Sequence, residues 1–386
     1  MLDPILRPPL INVSRGGAAS QSSLSEYSVG SDASRALTHD PNGYFHFCTD
    51  NEVYPSWEVF LGSPLPISRI EVYNREDAAS CRAYPLLIEY SLDHLDWRRL
   101  AEINFAFGGA ATGMPLCLDI PIPISMAHVR LRLIAHNYLH LDAVKIFTSV
   151  ADIPTNSQLE QERWVLAMCN GRRHGCFAEI GAFDGVNLSN TYYLESQFGW
   201  NGVVIEPNPE LFQQVQANRR SVCVNKAVYG KTGEILSFVP SGELGTIAEY
   251  AASDMHAQSR LKTIVANGLI QVETIAWNDI ANMLELSHGN FNGFDYVSID
   301  TEGSEWEILQ TIDLERHKIP LLTIEHNYVS EKRDLVNAYM AKSGYNRVPV
   351  AFDDWYFNEQ FLETRNEGLS PDIDRINQFF SKKYAA

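Results

Sequence analysis

Phe177-Ala178-Glu179-Ile180-Gly181-Ala182-Phe183-Asp184-Gly185 decides the fold. It reads as a short apolar strand running into Glu-x-Gly-x-x-x-Gly, a strand followed by a tight turn. Two further segments share this design. Gly202-Val203-Val204-Ile205-Glu206-Pro207-Asn208 is an apolar run ending on a carboxylate, and Asp295-Tyr296-Val297-Ser298-Ile299-Asp300-Thr301-Glu302-Gly303 ends on two. Strands that finish on Gly, Asp or Glu describe one rim of an open α/β sheet, and ligands bind at that rim, beyond the carboxyl ends of the strands.

The spacing narrows the ligand. Glu206 lies 21 residues after Gly185, which suits a carboxylate gripping the two hydroxyls of a ribose. Phe183 and Asp184 stand where a dinucleotide fingerprint needs glycines, and no Gly-Lys-Ser/Thr phosphate cradle follows. The expected cofactor therefore has a ribose and no phosphate. S-adenosyl-L-methionine fits, and its cationic sulfonium and amino group suit a carboxylate-rich rim.

Working outward, strands and helices alternate after residue 156. Ser157-Gln158-Leu159-Glu160 and Ser304-Glu305-Trp306-Glu307 read as capping boxes, the first opening a helix that ends near Gly171. Asn208-Pro209-Glu210 is a helix start with Asn as cap and Pro at the first position. Val222–Val228, Leu321–Glu325 and Asn346–Phe352 supply further strands. The alternation predicts a largely parallel sheet with helices on both faces. Residues 10–148 have another texture: short alternating runs between Gly, Pro, Asn and Asp breaks, at Trp57–Leu61, Ile67–Tyr73, Leu86–Ser91, Leu116–Ile120, His128–Leu133 and Leu141–Phe147. That pattern predicts a β-sandwich with Trp57 in its core. The expected domains are 1–149 and 150–386, tethered by a linker of about ten residues that spans at most ~3.3–3.6 Å per residue.

With 45% hydrophobic residues the chain builds real cores. The net charge of −18 divides as −5 over residues 1–150 and −13 over 151–386, and no basic cluster exceeds two or three residues. A polyanion would be repelled, so nucleic acid is not an expected partner. Met1–Pro9 shows no apolar signal core, and no run is long enough to span a bilayer, so the chain reads as cytoplasmic. The six cysteines form no Cys-x-x-Cys pair. They read as reduced, mostly buried thiols, and no structural zinc is expected.

The second half resembles the FkbM family of S-adenosylmethionine-dependent methyltransferases over roughly residues 160–360. The carrying motifs are Glu179–Gly185 with Leu188-Ser189-Asn190-Thr191, Val204–Pro209, Ser298–Glu305, Ile324-Glu325-His326-Asn327 and Asp353-Asp354-Trp355-Tyr356. The resemblance implies a class I, Rossmann-like methyltransferase fold and O-methylation, often of a sugar hydroxyl. It assigns Gly181, Asp184 and Gly185 to the methionine side of the cofactor and Glu206 to the ribose. The first half resembles the discoidin, or coagulation-factor C-type, galactose-binding-like jelly roll, on Ala19–Ser23, Trp57–Gly62, Ile70–Arg75 and Val129–Leu131. Arg75-Glu76-Asp77 with Arg82 also looks like the Arg-x-Asp-x4-Arg element of fucose-binding F-type lectins. His46 stands where their sugar-contacting histidine is expected, though two extra residues separate it from Arg75.

The resulting reading is an O-methyltransferase for a sugar hydroxyl on a glycan or glycosylated metabolite. Its cofactor contacts would be Glu179, Gly181, Asp184, Gly185, Glu206 and Asp300. Asp300 and Glu302 could serve the cofactor amino group, a sugar hydroxyl or a divalent cation, the cation being the less favoured. His326 and Asp300 are rival general bases, since transfer to a hydroxyl needs its proton removed. His46, Arg75 and Arg82 are candidate sugar contacts, against the reading that the arginines pair with Glu76 or Asp77 on a solvated face. Self-association is left open. The rival reading is a carbohydrate-binding or assembly protein whose methyltransferase fold is silent.

Overall fold

A computed structural model describes residues 7–28, 32–287, 291–366 and 371–384. Residues 1–6, part of the segment read above for a signal core, lie outside them. The chain forms two compact units: Pro8–Ile153 with Asn170–Arg173, and Pro154–Cys169 with the chain from His174 onward.

The first unit is an all-β sandwich. Two strands, Ser56–Tyr73 and Leu116–Leu133, run 18 residues each. They pair antiparallel, Trp57 opposite Leu131 and Ile70 opposite Leu118, with register shifts between Phe60 and Leu65 and between Ile67 and Arg69. The sequence reading divided each of these strands in two. Bulges are the reason: the first takes up Pro64 and the second Pro121 and Pro123, which cannot donate to the ladder, without ending either strand. Leu86–Ser91 forms as expected. The last long strand is Ala143–Ser149, because Leu141 pairs with Phe47 in a separate short ladder. Trp57 is fully buried, and its indole N–H donates to the Ala33 carbonyl at 2.9 Å.

The second unit is built on a seven-stranded sheet. Its strands are β1 (Cys176–Ile180), β2 (Asn201–Ile205), β3 (Val222–Val224), β4 (Tyr296–Ile299), β5 (Leu321–Glu325), β6 (Asn346–Val350) and β7 (Asp353–Phe357). Their spatial order is β3-β2-β1-β4-β5-β7-β6. The first five are parallel, and β7 lies antiparallel between β5 and β6. Ala178, Ile180, Val203, Ile205, Val297, Ile299, Leu322 and Ile324 form one continuous core. Each of the Val, Leu and Ile side chains contributes roughly 1.5–3 kcal/mol by its burial. The expected strand Val222–Val228 is divided: Ala227–Val228 leaves the main sheet and pairs with Ile270–Ile275 in a smaller one.

Helix starts follow the side-chain chemistry only in part. Asn208 caps Pro209–Asn218, accepting from the Glu210 N–H at 3.0 Å. The helix expected from Ser157 runs instead over Gln161–Met168, and Glu162, not Glu160, accepts from the Ser157 N–H at 3.2 Å. Ser304 precedes Glu305–Leu309 without capping it; its hydroxyl donates to Thr301 Oγ1 at 2.9 Å. No two of the described cysteines are joined in a disulfide. Cys48 and Cys169 are buried, but Cys81 and Cys117 are exposed, against the expectation of mostly buried thiols. Among the described residues no helix is long and apolar enough to cross a membrane.

Candidate active site

The carboxyl ends of β1, β2, β4 and β5 open on a cavity of about 450 Å³, lined by Ile180 to Phe183, Glu206, Asp300, Glu302, Glu325 and Asn327. The cavity sits where the strand order reverses between β1 and β4, the position at which open α/β sheets bind ligands. Gly181 has φ +88°, and a Cβ there would stand 1.7 Å from the Asp300 carbonyl oxygen. Only glycine lets these two strand ends meet.

Glu206 is buried at the cavity wall. Its carboxylate accepts from the Phe183 N–H at 3.0 Å and the Asn208 N–H at 2.8 Å. Burial pushes it up to about 7, against the pull of those backbone donors. A carboxylate with two amides already placed keeps further lone pairs for a ligand's hydroxyls.

Three acids meet across the cavity. Oxygens of Asp300, Glu302 and Glu325 all lie within 4.8 Å of one another. Burial first, then the Asp353 charge, pushes Asp300 up to about 7, while its hydrogen bond with Glu325 acts the other way. Burial and the neighbouring Asp300 and Glu302 charges push Glu325 well above the usual carboxylate range. Two carboxyls so close share a proton rather than ionise together. Glu302 is placed differently. It accepts from Arg260 Nη2 at 2.5 Å and from Asn327 Nδ2 at 3.0 Å, and the Asn327 amide also reaches Glu325 at 2.9 Å. The spacing of the three acids would admit a hard cation, but Arg260 already supplies positive charge to one of them.

The backbone around the cavity is unusual. Phe183, Leu188, Glu302, Asn327 and Tyr328 all hold left-handed φ between 43° and 61°, and all line it. Strained non-glycine residues concentrate at functional sites.

Several expected site residues stand elsewhere. Glu179 faces its own loop: it accepts from Ser189 Oγ, the Asn190 N–H, Thr191 Oγ1 and Arg219 Nη1 at 2.6–3.0 Å. The Asp184 carboxylate accepts from the Val186 and Asn187 N–H groups at 2.8 Å and closes the turn. Gly185 brings that turn against Val215 of the helix Pro209–Asn218 and against Arg219 just beyond it. None of the three lines the cavity. His326 also points away, into a small void beside Arg333, Asp354 and Tyr356. Its Nδ1 accepts from the Tyr328 N–H at 3.0 Å, its Nε2 has no hydrogen-bond partner in the protein, and burial lowers it to about 4. The motif reading passed over Lys226 and the segment from Gly242 to His256, which brings Leu244, Met255 and His256 into the cavity. Within Ile324-Glu325-His326-Asn327 the sequence points to His326 and gives Glu325 no role.

In the sandwich, Arg75 and Arg82 share a hollow of about 200 Å³ with Tyr27, Phe45, Tyr138 and His140. The Arg75 guanidinium lies 4.6 Å from the Phe45 ring centroid and pairs with Asp77; Arg82 lies 5.7 Å from that of Tyr138. His46 is absent from the hollow, because its Nδ1 is held at 2.8 Å from the Asp142 carbonyl oxygen. His140 stands there instead, buried, with no partner on either ring nitrogen; burial, then the Arg75 charge, lowers it to about 4.

A sheet of this order, with a carboxylate-lined cavity at its rim, is the fold of a class I methyltransferase. The chain belongs to the methyltransferase FkbM domain family, whose family model matches residues 179–380, and an F5/8 type C domain matches residues 18–142. No curated protein matches the chain. Similar solved structures include the lectin domain of lectinolysin complexed with Lewis B antigen, at 21% identity over 36% of this chain and 96% of that one, with a TM-score of 0.30. A Streptococcus pneumoniae fucose-binding module is 20% identical over 36% and 97%, with a TM-score of 0.32. The family 32 CBM of C. perfringens NanJ in complex with galactose is 15% identical over 36% and 100%, with a TM-score of 0.30.

Proposed function

We propose that the chain is an S-adenosylmethionine-dependent O-methyltransferase acting on a sugar hydroxyl of a glycan or glycosylated metabolite, and that its sandwich binds carbohydrate. One observation carries the reading: a single cavity holds a buried hydroxyl-accepting carboxylate, Glu206, and a proton-sharing carboxyl pair, Asp300–Glu325. The residues fit the cofactor. Glu206 would hold the ribose, the close approach at Gly181 would leave room for the methionine side, and the acids would face its cationic groups. When bound, the cofactor supplies an electrophilic methyl group. The protein's part is to fix the acceptor oxygen in line with that methyl group, worth ~7–11 kcal/mol in favourable cases. The Asp300–Glu325 pair receives the hydroxyl proton, a contribution of about 10²–10⁴-fold. Glu302 holds Asn327 beside the pair.

In the sandwich, arginine forks and a neutral imidazole among aromatic rings are groups that hydrogen-bond sugar hydroxyls and cover a sugar ring. The test is release of S-adenosylhomocysteine across a panel of saccharides, peptides and nucleic acids. Saccharide-dependent release supports the reading; release that needs a peptide or nucleic acid, or no acceptor at all, refutes it.

A further inference from the structure

We infer that Arg260 is a positioning residue of this transferase, clamping the segment from Gly242 to His256 onto Glu302 and so closing one wall of the catalytic cavity. Arg260 lies on the helix Ala257–Asn267 and is its buried residue. Burying a guanidinium on an otherwise exposed helix is costly unless its donors are used. Here they are. Nε donates to the Leu244 carbonyl at 2.9 Å, Nη1 to both Asp254 oxygens at 2.8 and 2.9 Å, and Nη2 to Glu302 at 2.5 Å. One side chain thereby joins two places on the segment to the turn that follows β4.

Two weaker ties run in parallel. Thr246 Oγ1 donates to the Glu302 carbonyl at 2.9 Å, and the Lys332 ammonium lies 4.1 Å from the Tyr250 ring centroid. The segment matters because Leu244, Gly245, Met255 and His256 face the cavity. Asp254 and Glu302 are both nearly inaccessible, so without Arg260 each would be a buried carboxyl group that has lost its guanidinium donor, and hydrating them requires the wall to open. Lysine cannot substitute fully, since a single ammonium does not present a planar fork to three separated acceptors.

The clamp is tested by hydrogen exchange on the full chain, and its role in turnover rests on the methyl-transfer reading. Arg260→Gln is expected to speed exchange over 242–256 by at least about tenfold while β1 stays protected, with Arg260→Lys intermediate. The double variant Arg260→Gln/Glu302→Gln, which leaves one fewer buried carboxyl without its donor, is expected to regain part of that protection. With a saccharide acceptor, Arg260→Gln is expected to raise the acceptor KM by about tenfold and leave S-adenosylhomocysteine affinity within about threefold. Unchanged exchange over 242–256 would overturn the clamp. Equal loosening of β1 and the segment would reduce Arg260 to a general structural role and equally overturn it. Failure of the wild-type chain to bind S-adenosylhomocysteine, with the exchange pattern as expected, would instead count against the methyl-transfer reading and leave the clamp standing.

Discussion

Gly181 and Asp300 touch backbone to backbone: a Cβ added to Gly181 would lie 1.7 Å from the Asp300 carbonyl oxygen. The contact joins the ends of β1 and β4 at the floor of the cavity. Gly181→Ala must push the strand ends apart and adopt φ +88° with a side chain. The expected cost is ~1–3 kcal/mol of stability, together with loss of cofactor binding. Urea titration and calorimetry measure the two effects; unchanged binding would show that the cofactor does not use this corner.

The proton is expected to leave through Asp300 and Glu325. Asp300→Asn and Glu325→Gln should each lower kcat by about 10²–10⁴-fold and abolish the rise of rate with pH near neutrality. His326→Ala should keep that rise, because His326 lies in a separate void beside Asp354 and is neutral down to about 4. A rate–pH profile that changes only in the His326 variant would return the base to His326.

Asp353 supplies a stability test with a defined sign. It is wholly buried, accepting from Gln161 Nε2 at 2.8 Å, and burial pushes it up to about 7. The folded chain therefore keeps a proton that the unfolded chain has already released. The stabilisation is full below about 4 and is lost as pH rises through about 7, with a slope of up to ~1.4 kcal/mol per pH unit. Asp353→Asn keeps the acceptor oxygen and removes the titration. It is expected to gain stability over the wild type progressively from pH 5 to pH 8 in urea; parallel wild-type and variant curves would contradict this.

In the sandwich, His140 titrates the opposite way. Its lowered value means that the folded state holds it neutral. The stability it contributes is present above about 6.5 and is lost as pH falls toward about 4. His140→Gln should flatten that acid limb. Calorimetry with a saccharide panel should find that Arg75→Ala and Arg82→Ala each cost about 1.5–3 kcal/mol of binding, as expected for charge-assisted hydrogen bonds. His46→Gln should leave the affinity intact, since His46 is held by Asp142 outside the hollow. A loss of affinity confined to the His46 variant would reverse the assignment.

The strand tips were legible because apolar runs and terminal acids survive as local patterns. Gly181, Glu206, Asp300 and Glu302 all line the cavity, and Asn208 caps its helix. Which acid faces the ligand was not legible. Glu179 and Asp184 belong to the same motif but turn inward, since the loop's own N–H and hydroxyl groups need acceptors. Neighbouring residues at a strand end project to opposite sides, so Glu325 enters the cavity while His326 leaves it. The same uncertainty exchanged His46 for His140. The segment from Gly242 to His256 carries no periodicity or motif; only the fold brings Leu244 and His256 to the cavity, and only the fold pairs Arg260 with Glu302.

The most direct test of the central claim is calorimetry of the full chain with S-adenosylhomocysteine, wild type against Glu206→Ala. Stoichiometric binding by the wild type is expected, weakened in the variant by the loss of one or two charge-assisted hydrogen bonds worth about 1.5–3 kcal/mol each. The variant is expected to stay folded, since Glu206 ends a strand rather than filling the core. No heat with the wild type, or equal affinity in the two proteins, would contradict the assignment of this cavity to the cofactor.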